Sequence, residues 1–158
     1  MIFLDHTVAI RLYPAIGTVY NGELALEISC KMLDWQLSAL AQVCSSFVPS
    51  LSTLETLDIS EIRYQGSKLQ DKFENTQWLE LLHPFTAVKV LYASARFGPK
   101  IAHTLQELTE ERVTEVLPVV RRLFLAGFRS SRVGSEAMGP FITARQRFGH
   151  PVAVHYQE

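Results

Sequence analysis

LETLDIS (residues 54–60), VKVLYAS (88–94) and VRRLFLA (120–126) share one pattern: an apolar residue, two variable ones, leucine, one variable residue, and a further apolar residue. The matched triplets are Leu54, Leu57, Ile59; Val88, Leu91, Ala93; and Val120, Leu123, Leu125, so their last members lie 34 and then 32 residues apart. Apolar residues at alternate positions suit a strand buried on one face. Recurrence at a period of roughly 20–50 residues marks a repeat architecture. Weaker copies flank these three, with Leu26 and Ile28 in LALEIS placed 31 residues ahead of Ile59, and Val152 and Val154 in PVAVHY placed 29 after Leu125. Both weak copies carry Glu23 or Gly149 where the first apolar residue belongs.

Amphipathic helices fit between the strands. Asp34 is an N-cap candidate ahead of Leu37, Leu40, Ala41, Cys44 and Val48, a one-sided stripe that Pro49 ends. A short helix from Asn75 or Thr76 carries Trp78, Leu82 and Phe85, with Pro84 as its stop. Gly98-Pro99 opens the next, with Ile101, Ala102, Leu105 and Leu108, and Thr109 caps one more turn before Pro118. The last is expected from about Ser135, with Met138, Phe141, Ile142 and Phe148 apolar.

A strand, helix, strand unit needs a crossover, and right-handed crossovers between adjacent strands lay the strands side by side in one parallel sheet with the helices on one face. The expected fold is therefore α/β: a leucine-rich-repeat-like solenoid with a curved parallel sheet and about five irregular units. It occupies residues 1–158 as a single domain, expected to be a fragment of a longer array. Leu57 and Ile59 then face the helices. Thr56, Asp58, Ser60, Val90, Tyr92, Ser94, Arg122, Phe124 and Ala126 project from the open face. A doubly wound sheet would favour near-continuous apolar strands, which Glu27, Asp58, Tyr92 and Arg122 interrupt. The strand expected at Thr7 to Tyr13 has no room for a helix before the next; it pairs as a hairpin through Asn21-Gly22, or belongs to an array whose preceding repeat is missing. EIRYQGSKLQDKFE (61–74) reads as an exposed, mobile rim loop.

Length and composition bound the function. One domain of 158 residues with 47% hydrophobic residues has ample material for a core. The formal charge of -1 creates no general field toward nucleic acid or an anionic membrane, so neither is expected as a partner. No apolar run reaches the roughly 18–20 residues of a membrane helix, and Met1 to Leu4 lack the basic start of a secretory signal. The expected location is the cytoplasm or nucleus. Cys30 and Cys44 match no disulfide framework or zinc spacing and read as small core residues.

Enzyme-like features are few. His6, His83, His103, His150 and His155 include no pair at helical ligand spacing; His83 reads as a helix-end residue and His103 as a flank. The loop from Gly127 to Ser135 lies between a strand and a helix, where a phosphate would sit, but its glycines are too far apart for a phosphate-binding loop and no lysine follows Gly134. Gly134-Ser135-Glu136-Ala137 lacks the second glycine of a nucleophile elbow. Arg121, Arg122, Arg129, Arg132, Arg145 and Arg147 face only Glu136 in the same stretch, which suggests a solvated basic rim rather than a site for an acidic partner. Trp35 and Trp78 are expected in the core or at its edge.

The strings DWQLSALAQVCSSFVPSLSTLETLDI, NTQWLELLHPFTAVKVLYAS, IAHTLQELTEERVTEVLPVVRRLFL and FITARQRFGHPVAV resemble, in this order, the C-terminal leucine-rich-repeat-like region of F-box proteins of mushroom-forming fungi. The resemblance runs from about Leu24 to the end. It implies the substrate-binding part of a ubiquitin-ligase adaptor, which uses an N-terminal F-box to reach a Skp1-like partner and the cullin core. No F-box matches ahead of Asp34, so that partner is expected only with an upstream F-box. After Ile59 and Ala93 the asparagine of a regular leucine-rich repeat is replaced by Ser60-Glu61-Ile62 and Ser94-Ala95-Arg96.

The expected function is recognition of an unknown protein substrate without catalysis or cofactor. The contact patch is Asp58, Tyr92, Arg122 and Phe124, because aromatics with arginine are what binding hot spots favour. The alternatives are a repeat scaffold with no ligase connection, or an α/β nucleotide-binding enzyme.

Overall fold

The computed structural model describes residues 6–14, 24–30, 33–46, 51, 53–62, 75–108, 110–128 and 130–157. Their strands are β1 (His6–Pro14), β2 (Leu24–Cys30), β3 (Leu54–Ile62), β4 (Val90–Ala93), β5 (Arg122–Ala126) and β6 (Ala153–Gln157). They form one sheet in the order β2-β1-β3-β4-β5-β6. β3 to β6 are parallel neighbours in chain order, and the repeat pattern sets their register: Leu57 stands beside Leu91, Leu91 beside Leu123, and Ile59 beside Ala93, which stands beside Leu125. At β6 the expected alignment is off by two residues. Val154 pairs with Leu123 and Tyr156 with Leu125, so Tyr156 rather than Val154 is the last member of the final copy.

The five-strand parallel array is corrected at its N-terminal end. β1 pairs antiparallel with both β2 and β3, and so stands between them. Two reversals leave β2 pointing the same way as β3 without touching it. The reason is connection length: the nine residues 15–23 can close a hairpin between β1 and β2, whereas a parallel crossover takes a dozen or more. β1 then offers its other edge to β3. The turn signal at Asn21-Gly22 lies outside the described residues. The expected rim loop also shortens, since Glu61 and Ile62 belong to β3 and pair with Val8 and Thr7; the rest of it falls outside the described residues.

The helices are α1 (Leu33–Ser46), α2 (Asn75–Leu82), α3 (Gly98–Gln106) and α4 (Ser131–Arg147), with a 3-10 turn at Glu110–Thr114. Asp34 lies inside the first turn of α1 rather than ahead of it. α4 begins four residues before the expected Ser135, because Ser130 is its cap and accepts a 3.4 Å hydrogen bond from the Val133 amide. Pro140 is therefore interior, where it withholds a donor from the Glu136 carbonyl. It sits on the exposed side, and the buried Met138 and Phe141 anchor the helix across it.

Leu57, Ile59, Leu91, Ala93, Leu123 and Leu125 point into one core with Trp78, Leu81, Ile101, Leu105, Met138 and Phe141 of the helices. Each of the larger apolar side chains contributes about 1.5–3 kcal/mol by leaving water. Trp78 is fully buried, with its ring centroid 5.4 Å from that of Phe97, as its place in the apolar stripe requires. The Gln106 side chain ties α3 to α4 through the Ala137 carbonyl. No helix among the described residues is long and apolar enough to cross a membrane.

Cys44 belongs to the same core, and burial pushes its thiol from the ordinary 9.0 up to about 11. Between those values the unfolded chain gives up a proton that the native one keeps, so stability is full below about pH 9 and falls as pH rises toward 11. Denaturant midpoints measured from pH 8 to 11 should show this decline, and Cys44→Ala should flatten it. Iodoacetamide at pH 8.5 should modify Cys44 only after unfolding, as read by peptide mapping.

Candidate recognition surface

The face of the sheet opposite the core is organised in rows, because parallel pairing sets equivalent residues side by side. One row reads Thr56, Val90, Arg122, Ala153 and the next Asp58, Tyr92, Phe124, His155. Register carries the second row across β3 to Arg11 on β1, placing an arginine position opposite Asp58.

Within that row three rings stack. Tyr92 and Phe124 have centroids 4.7 Å apart with planes 11° from parallel, and Phe124 and His155 are 4.6 Å apart at 12°. These separations match the ~4.7–4.9 Å between neighbouring strands, so the sheet itself sets the spacing of the stack. Each aromatic pair adds about 0.5–1.5 kcal/mol beyond burial. Phe124 is half-buried between its neighbours, whereas Tyr92 is 39% exposed and His155 is also exposed. Arg122, two residues before Phe124 on the same face of β5, is exposed beside the stack. Asp58 is half-buried at the far end of the row. The surface combines flat apolar faces with a cation at one flank and a carboxylate at one end.

All four residues expected at the patch lie on this face, with Asp58, Tyr92 and Phe124 in one row and Arg122 in the next. Val90 projects from this face as expected but is only 7% exposed, because it is a short side chain on a central strand, flanked in register by Thr56 and Arg122. His155 was not expected there. The two-residue misalignment of β6 hid it, because sliding PVAVHY so that Tyr156 matches Leu125 brings His155 into the column of Tyr92 and Phe124.

The remaining candidates separate clearly. Gly127 adopts φ +91°, and a methyl group there would overlap the carbonyl oxygen of Ala95 in the neighbouring strand–helix loop. Gly134 lies under the ring of Tyr156, which a side chain would displace. Close packing accounts for both Gly127 and Gly134. Arg129 lies outside the described residues. His83 is exposed just after α2, its amide bonded to the Leu79 carbonyl at 2.9 Å. It lines a cleft of about 670 Å³ with Glu80, Glu115, Gln42 and Ser45. Glu115 is engaged there by Arg112 at 2.7 Å, and that hydrogen bond holds its carboxyl below the usual range.

The basic rim is corrected at one position. Arg121, Arg122, Arg132 and Arg147 are exposed, but Arg145 is 1% exposed. Its Nε donates to the His150 carbonyl at 3.0 Å. Nη1 donates to Val113 and Leu117 at 2.9 and 3.3 Å, and Nη2 to Pro118 and Val120, both at 3.1 Å. All five guanidinium donors are thereby used, each on a backbone carbonyl. The side chain ties the loop from the 3-10 turn to β5, in which Leu117 takes φ +50°. Its charge cannot be told from that of a surface arginine by sequence; the signal is its place three and four residues after Ile142 and Phe141, on the inward side of α4.

Comparison of the chain with protein-family models, with curated proteins and with solved structures finds no match in any of the three.

Proposed function

We propose that this chain is a non-catalytic protein-recognition module and that the open face of its sheet is the contact surface. The observation that carries this reading is the Tyr92–Phe124–His155 stack, held rigidly by strand spacing and flanked by Arg122 and Asp58. Rigid aromatics lose little conformational entropy on binding, and with arginine they supply most hot-spot energy. The parallel order β3 to β6 with its recurring leucines supports a leucine-rich-repeat-like array. The sequence resemblance supports the role of a substrate-binding part of an F-box adaptor, acting on a protein in the cytoplasm or nucleus.

The test is the double variant Tyr92→Ala with Phe124→Ala. Proteins co-purifying with the native chain are quantified by mass spectrometry beside this variant and a helix-side control, Arg147→Ala. The double variant should weaken capture of the same protein by roughly a hundredfold to a thousandfold, as loss of two hot-spot residues worth about 2 kcal/mol each implies. Stability should fall by about 1–3 kcal/mol, the worth of the two stacked pairs that are lost, while the core on the other face of the sheet is untouched. Equal capture by all three would reject the open face.

A further inference from the structure

A second feature lies away from the aromatic row, at the N-terminal ends of β5 and β6. The chain at 118–121 and at 149–151 encloses a cleft of about 390 Å³ with Arg145 in its wall. Arg121 and His150 also line it, both exposed, and no carboxylate among the described residues does. Neither side chain has a hydrogen-bond or ion-pair partner among the described residues, so their donors are available. Arg145 contributes differently. Its donors are spent on carbonyls, and no carboxylate among the described residues balances its charge. A buried cation held only by dipoles leaves a net positive field, which is strong where water is scarce. The carbonyl oxygens that would oppose an anion are turned onto the guanidinium.

We propose that this cleft binds an oxyanion group, a phosphate or a carboxylate. Arg121 supplies its planar pair of donors, His150 a second donor, and Arg145 the fixed charge behind them. The ligand is either a free ion or the acidic side chain of a protein, and the two share this chemistry.

The experiment follows backbone amide resonances of the whole chain while chloride is exchanged for inorganic phosphate at constant ionic strength. A parallel arm uses a hexaglutamate peptide, with hexaglutamine as its control. The expected result is a saturable shift centred on Val119 to Arg121 and on Gly149 and His150. Arg121→Gln should weaken it by about tenfold or more, the effect of losing a charge-assisted hydrogen bond. Arg132→Gln, which removes the same charge at the far end of α4, should leave it unchanged. The tighter arm identifies the source: phosphate alone means a free ion, hexaglutamate an acidic protein segment. No saturable shift in either arm, or equal weakening by both substitutions, would overturn the proposal.

Discussion

Arg145→Met should lower the free energy of unfolding by about 3–5 kcal/mol, the net of several buried carbonyls losing their donor and a desolvated charge being removed. Methionine can fill much of the space, but it removes the guanidinium donors from the carbonyls of Val113, Pro118, Val120 and His150, while Leu117 keeps the Val120 amide at 3.1 Å. An unsatisfied buried polar group costs ~1–3 kcal/mol. Relief of the desolvated charge offsets part of that sum, since burial already depresses the proton affinity of this guanidinium. For a domain of this size the melting temperature should drop by about 10 °C. Arg145→Lys should recover less than half of the loss, because an ammonium has three donors on one atom and cannot span five carbonyls. Denaturant unfolding of the three proteins at 25 °C measures both effects. A change below ~1 kcal/mol for methionine would mean that the 113–120 loop does not depend on Arg145.

The second large effect is expected at Gly127→Ala. Its φ of +91° lies where a side chain is strained, and the added methyl would overlap the Ala95 carbonyl. The strain alone costs ~1–3 kcal/mol. Relieving the overlap must also part the loops that follow β4 and β5, so a total of about 3 kcal/mol or more is expected. Two other glycines separate these contributions. Gly149 has φ +79° with nothing within 4 Å of an added methyl, so Gly149→Ala should cost only the conformational part, ~1 kcal/mol. Gly139 lies inside α4 with nothing beyond its own helix within 4 Å of an added methyl, but it precedes Pro140, whose ring crowds a Cβ on helical backbone, so the helix-propensity gain of Gly139→Ala is cancelled and the change should be near neutral. Thermal or denaturant unfolding of the set should rank Gly127→Ala below Gly149→Ala, and Gly149→Ala below the native chain, with Gly139→Ala close to native. A Gly127 variant no worse than the Gly149 one would show that the two loops are not packed as described.

The parallel half of the sheet was legible because each strand repeats its leucines at nearly constant spacing, and alternation then assigns each residue a face. Leu57, Ile59, Leu91 and Leu123 had to point inward, and they are fully buried. The same argument placed Tyr92 and Phe124 outward. Legibility failed where the pattern thinned. β1 is a good strand by itself, but its insertion between β2 and β3 depends on hairpin length and on which edge remains free, neither of which periodicity reports. β6 has Val152, Val154 and Tyr156 at the same alternation, so an alignment that counted only aliphatic residues slipped by one pleat and removed His155 from the stack. Arg145 is misread for another reason, despite its place on the inward side of α4. Charge argues for solvent, and only the loop carbonyls from distant positions show why this cation is inside.

Site-specific photo-crosslinking from the two sides of the sheet tests recognition by the open face most directly. A benzophenone side chain replaces Tyr92 on the open face or Arg147 on α4, and adducts from irradiated cells are identified by mass spectrometry. Recognition through the aromatic row predicts one defined protein joined at position 92, absent at position 147 and lost when Phe124→Ala is added. The same adducts from both positions, or none at position 92 while position 147 yields a defined partner, would contradict it.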